Sequence, residues 1–90
     1  MKVSIVIPVL NGLKMTRDCL SALKANTTVP HEIIVIDNGS DCETAEFLKQ
    51  SPYIDRLIRN DRNIGFAPAV NQGWEVATGD VLGTINNDTI

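Results

Sequence analysis

Two runs of nearly unbroken β-branched residues, Val3 to Val9 and Ile33 to Ile36, bracket a stretch in which Leu13, Thr16, Leu20 and Leu23 recur at three- and four-residue spacing. A strand that is apolar at almost every position must be covered on both faces, which is the condition of a parallel sheet with helices on either side. The intervening stretch carries Lys14, Arg17, Asp18 and Lys24 on its other faces, so it reads as an amphipathic crossover helix. The unit is strand, helix, parallel strand.

The pattern then repeats. Ser40-Asp41-Cys42-Glu43 has the spacing of a capping box and predicts a helix through about Gln50, stopped by Ser51-Pro52. Arg56 to Arg59 mixes charged and apolar residues, which predicts a short strand at a sheet edge with one wetter face. Pro68 suits the first turn of a third helix, whose apolar stripe is expected at Ala67, Val70, Trp74 and Ala77 and whose end is expected at Gly79. Val81 to Ile85 supplies a fourth strand. Short connections and right-handed crossovers then predict an α/β fold: a three-layer, Rossmann-like parallel sheet of strand order 3-2-1-4 with helices on both faces.

Ninety residues suffice for one domain. Thr89-Ile90 follows the last strand with no capping helix, so residues 1–90 are expected to be the N-terminal part of a longer domain. Hydrophobic residues at 43% and charged residues at 21% predict a folded core, and a net charge of −3 with scattered Lys and Arg argues against nucleic-acid binding. No apolar run approaches the roughly 20 residues that span a bilayer, and the N-terminus has no signal-peptide cleavage pattern, so a cytoplasmic setting is expected. Cys19 and Cys42 are far apart, without a CxxC or a paired histidine, and are expected to be small buried residues. His31, the one histidine, precedes the second strand and reads as an exposed turn residue.

In open parallel sheets ligands bind outside the carboxyl ends of the strands. That rule singles out Pro8 to Gly12, Asp37 to Asp41, Asn60 to Phe66 and Asn86 to Asp88. Asp37 follows a buried strand and is expected to project a partly desolvated carboxylate able to accept from a base or ribose; its other reading is an Asx turn with Asn38-Gly39-Ser40. Asn86-Asn87-Asp88 is a cluster of hard oxygen donors suited to Mg²⁺ or Mn²⁺ together with a diphosphate, and equally to a helix cap. Arg62 and Gly65 offer an anion a place beside a helix N-terminus, or form an ordinary turn. Asn71 is expected to tie its helix to a strand-end loop. Asp80 lies at the opposite end of the sheet and is expected to shape a turn. The first loop, Pro8-Val9-Leu10-Asn11-Gly12-Leu13, has neither GxGxxG nor GxxxxGK[ST], which disfavours a dinucleotide-binding domain and a P-loop NTPase.

Taken together, Val3 to Val9 with Asn11, Ile34 to Ser40, Asn63 to Ala67 with Asn71, Ala77 to Asp80 and Leu82 to Asp88 resemble the N-terminal part of the family 2 glycosyltransferases, which have the GT-A fold. The resemblance implies a nucleotide-sugar site formed by Pro8, Val9, Asn11, Asp37, Asn63, Gly65, Asn86 and Asp88, with Asp37 addressing the base of a UDP- or dTDP-sugar. Asp88 matches the last residue of the family's DXD-type motif and is implied to hold Mn²⁺ or Mg²⁺; Asn86 stands where an Asp is frequent. The implied reaction is transfer of the sugar to a glycan or lipid-linked acceptor with inversion, in the biosynthesis of cell-surface polysaccharide. The general base is then expected beyond Ile90, along with any peripheral membrane contact. A non-catalytic nucleotide-binding module of the same fold and a nucleotidyltransferase are the competing readings.

Overall fold

A computed structural model describes residues 1–85; Asn86 and Asp88 of the expected site lie outside the described residues. Seven elements follow one another: β1 (Val3–Val9), α1 (Leu13–Asn26), β2 (His31–Asn38), α2 (Cys42–Gln50), β3 (Arg56–Asn60), α3 (Phe66–Val76) and β4 (Val81–Thr84). The four strands form one parallel sheet in the order β3-β2-β1-β4, as the alternation of segments predicts.

Side chains alternate across β1 and β2 and divide the core in two. Ile5, Ile7, Val9, Ile33 and Val35 meet Leu20 of α1 and Leu48 of α2 on one face. Val6, Ile34 and Ile36 meet Ala69 of α3 on the other. Leu20 and Leu48 are almost wholly buried, and each such side chain contributes about 1.5–3 kcal/mol relative to exposure.

Pro8 sits inside the central strand, where it removes a ladder donor. The Val6 carbonyl accepts from Ile85 N and Thr84 Oγ1, so the even-numbered peptides of β1 face β4. The last registered pair on that side is Val6 with Thr84, two residues before Pro8. Among the described residues the missing N–H therefore falls beyond the last pair of the β1–β4 ladder, toward the carboxyl edge.

Four local expectations differ from the structure. The cap of α2 is Asp41, whose Oδ1 accepts from Thr44 N at 2.9 Å; Ser40 is turned to the neighbouring loop instead. That bond holds the Asp41 carboxyl below its ordinary value. Cys42, at the first turn of α2, is exposed, and only Cys19 is partly buried. His31 begins β2, is half-buried, and faces the Val29 carbonyl with Nδ1 at 2.9 Å. Finally, α3 ends at Val76 and seats Ala69, Val70 and Gly73 on the sheet, while Ala67 and Trp74 are exposed. A Cβ on Gly73 would lie 2.5 Å from a Val6 methyl, so small residues let the helix lie close to β1.

Candidate functional site

The two ends of the sheet are built differently. At the amino end, acidic side chains are consumed by backbone and hydroxyl donors. Asp55 Oδ2 accepts from Ile33 N at 2.7 Å, and Asp80 Oδ2 accepts from Lys2 N at 3.0 Å, so Asp80 shapes a turn there as expected. Glu32, at 5% exposure, takes three donors on Oε2: Ser4 Oγ and Thr78 N, both at 2.6 Å, and Thr78 Oγ1 at 3.0 Å. Burial alone would raise its pKa, but these bonds and the charge of Lys2 outweigh it, leaving the carboxyl below its ordinary value. Gly79 N donates to the same Ser4 hydroxyl at 2.8 Å, and a Cβ on Gly79 would lie 2.6 Å from it. This end is closed.

The carboxyl end instead gathers loops that leave polar side chains facing outward. After β1 the chain turns through Asn11 (φ 58°) and Gly12 (φ 72°), a left-handed pair that asparagine and glycine tolerate best. Asn11 N donates to Ser40 Oγ at 2.8 Å and Asn11 Oδ1 accepts from Asp41 N at 2.8 Å, which zips the loop after β1 to the loop after β2. Gly39 (φ 84°) completes the second loop; a Cβ there would lie 2.9 Å from Arg62 Cα, so the loop after β3 rests directly on it.

Asp37 does not offer the open carboxylate that its sequence position suggests. It is 1% exposed; Oδ1 accepts from Ser40 N at 2.9 Å and Oδ2 accepts from Arg59 Nη1 at 2.5 Å. Arg59 stands opposite Asp37 in the β2–β3 register and donates a second bond, Nη2 to Ser40 O at 3.4 Å. Both readings of Asp37 thus meet in one residue: it builds the Asx turn through Ser40, and it anchors a guanidinium at the edge of the site.

An amide network positions the third loop. Buried Asn38 has every amide position filled: Nδ2 donates to Asn63 Oδ1 at 3.0 Å and Gly65 O at 3.2 Å, while Oδ1 accepts from Asn60 Nδ2 at 3.0 Å and Ile64 N at 3.3 Å. Asn63 Oδ1 also accepts from Gly65 N at 2.9 Å, ahead of α3. The helix is tied to the strand end by Gln72, which pairs with Asn60, rather than by Asn71, which is exposed.

Of the expected site residues, Pro8, Val9, Asn11, Asp37, Asn63 and Gly65 are therefore brought to one edge. Pro8, Val9 and Asp37 are buried, and Asn11 and Asn63 are exposed. The sequence gives no role to Arg59, and it places Asn38 and Asn60 in strand-end loops, and Gln72 in α3, without their amide network. Arg59 had a signal, since it stands near the end of a short strand whose neighbour ends in Asp37-Asn38. Arg62 is exposed and unpaired among the described residues. No three His, Cys, Asp or Glu side chains come together as a metal site among the described residues; Asp88, the expected metal ligand, lies outside them.

The Glycosyl transferase family 2 model matches residues 4–90. Among related sequences, the chain is 34% identical over 91 residues to glycosyltransferase AglE of Haloferax volcanii, covering 96% of this chain and 30% of that protein. It is 36% identical over 95 residues to undecaprenyl-phosphate 4-deoxy-4-formamido-L-arabinose transferase of Yersinia enterocolitica, covering 97% of this chain and 29% of that one. The chain thus spans under a third of the length of these relatives. Its fold is similar to that of mannosyltransferase PcManGT from Pyrobaculum calidifontis, solved with GDP-Man and Mn²⁺: TM-score 0.80 at 21% identity, covering 96% of this chain and 27% of that one. S. aureus TarS 1–349 has the same fold at TM-score 0.82 and 22% identity, with 98% and 28% covered.

Proposed function

Because the chain belongs to glycosyl transferase family 2, we propose that its carboxyl sheet edge is the donor half of a sugar-transfer site, taking a UDP- or dTDP-sugar. The observation that carries this reading is the contrast between the two sheet ends. Three consecutive loops interlock at the carboxyl edge through Asn11, Ser40, Asp41, Gly39 and Arg62 and leave Asn11, Arg59, Arg62 and Asn63 outward, whereas the amino end is closed by Glu32, Asp55 and Asp80.

In this reading the backbone of Pro8 and Val9 forms the floor under the base, where β1 ends without a donor at Pro8. Asp37 acts through the groups that it holds, Ser40 and Arg59. Asn63 and Gly65 set the loop beside α3, and the exposed Arg62 adds a positive charge to that edge. Asp88, with Asn86 nearby in sequence, would hold Mn²⁺ or Mg²⁺. A bound divalent ion supplies Lewis-acid stabilisation of the departing nucleoside diphosphate.

The acceptor, a glycan or lipid-linked sugar, and the carboxylate that deprotonates it in an inverting displacement belong in this proposal to residues beyond Ile90. No helix among the described residues is long and apolar enough to cross a membrane. In this proposal the protein works in the cytoplasm, at the inner face of a membrane where its acceptor is lipid-linked; the relative named an undecaprenyl-phosphate 4-deoxy-4-formamido-L-arabinose transferase supports a lipid-linked partner.

Calorimetric titration with UDP, dTDP and GDP, with and without Mn²⁺, tests the proposal. Metal-dependent binding of a pyrimidine diphosphate that is lost in Asp88→Ala is expected. Absence of nucleotide binding by the intact, folded protein would overturn it.

A further inference from the structure

We infer that Arg59 is a specificity-determining residue of the donor site, its clamped guanidinium donating to an exocyclic carbonyl of the nucleobase. The inference deepens the donor-site proposal and rests on it. Of the two paired side chains, Asp37 is 2% exposed and Arg59 is 41% exposed, so the arginine is the member that a ligand meets.

The guanidinium is held in place. Strand register sets Arg59 opposite Asp37, Nη1 donates to the carboxylate and Nη2 to the Ser40 carbonyl. Ser40 is itself locked, its N bonded to Asp37 and its hydroxyl to Asn11 N. An arginine has five N–H donors in a planar fork, and two are used among the described residues. The remaining three point from a fixed plane, so little further side-chain freedom is lost when an acceptor binds.

Charge and position select the kind of acceptor. The Asp37 carboxylate neutralises Arg59, which suits the pair to directional bonding with an uncharged oxygen. In the order β3-β2-β1-β4, Arg59 lies three strand spacings from the strand that leads to Asn86-Asn87-Asp88, about 14 Å across the sheet. A nucleoside diphosphate laid along this edge with its phosphates toward β4 brings its base toward β2 and β3. Uracil, thymine and guanine carry a carbonyl next to a ring N–H; adenine carries none.

The test is equilibrium binding of UDP and ADP, each with Mn²⁺, to the intact protein and to Arg59→Met and Arg59→Lys. A site built around a hydrogen bond discriminates against a base that cannot make it, so wild type should prefer UDP by at least about tenfold. Arg59→Met should lose about tenfold in UDP affinity with ADP unchanged. Arg59→Lys retains a charge for Asp37 but not the fork, and should also lower the UDP-to-ADP ratio; it decides the matter if the methionine variant does not fold. Unchanged UDP binding in both variants, or equal loss of UDP and ADP, would overturn the inference while leaving the donor site standing. If wild type binds neither nucleotide, the donor-site reading fails and this one with it.

Discussion

Asn60 and Gln72 exchange both of their amide hydrogen bonds, Asn60 Nδ2 to Gln72 Oε1 at 2.8 Å and Gln72 Nε2 to Asn60 Oδ1 at 2.9 Å. The pair joins the last residue of β3 to the middle of α3, and the second Nδ2 hydrogen of Asn60 continues to Asn38 at 3.0 Å. The loop carrying Asn63 and Gly65 is thus held at its two flanks, by a strand end and a helix. Replacing Gln72 with leucine leaves a partly buried Asn60 amide short of a donor and an acceptor, which should cost about 1–3 kcal/mol. Asn71→Ala, one residue earlier and exposed, should stay within about 0.5 kcal/mol of wild type. Urea midpoints compare the two; equal losses would contradict the network.

Gly73 should resist enlargement for a reason outside its helix. Alanine gains about 1 kcal/mol of helix propensity, but its Cβ would fall 2.5 Å from a methyl of the fully buried Val6, and overpacking costs about 1–3 kcal/mol. A net loss of about 1 kcal/mol is expected for Gly73→Ala. In a Val6→Ala background the same change should become neutral or stabilising. An equal loss in both backgrounds, measured by urea unfolding, would place the penalty elsewhere.

These contacts show which parts of the molecule are legible in its sequence. Strand order and sidedness follow from β1 and β2 because residues buried on both faces leave an unbroken apolar run, and short connections leave few topologies. The face of α3 is legible in part: Val70 is buried and Ala77 packs on the core as expected, but hydrophobicity favours Trp74 as core, whereas a helix lying close to a sheet needs Ala69 and Gly73. The place of Asp37 at a strand end and its Asx turn are visible in sequence, but its ionic partner is fixed by cross-strand register. Only that register brings Arg59 opposite it. Asn38 and Asn60 were similarly opaque: neither their location at a strand end nor their chemistry names the donor or acceptor that each will meet.

At the closed end, Glu32 should make stability depend on acidity. Its folded pKa lies below the ordinary 4.5, so ionised Glu32 stabilises the fold. That contribution is full above the unfolded value and is lost as the pH falls from there through the folded value. Glu32→Gln should lower stability at neutral pH by about 2 kcal/mol, since a charge-assisted acceptor is replaced by a group whose amide faces other donors. The variant's stability should also fall less steeply below the ordinary glutamate pKa. Parallel wild-type and variant profiles of urea midpoint against pH would show that Glu32 is not the group responsible.

Asn11 separates two demands made on one residue at the site. Its φ of 58° is unfavourable for most side chains, and its Oδ1 accepts from Asp41 N at 2.8 Å. Glycine keeps the backbone conformation and loses the bond; alanine loses both. Asn11→Gly should therefore cost about 1 kcal/mol for the bond alone, and Asn11→Ala about 1–2 kcal/mol more for the left-handed turn. Because the bond joins the loops after β1 and β2, the glycine variant should also bind UDP more weakly, in proportion to the freedom it restores to those loops. If alanine and glycine are equally tolerated in stability, the turn carries no strain. Stability lost without any change in UDP affinity would mean that the joining of the two loops matters to the fold and not to the ligand.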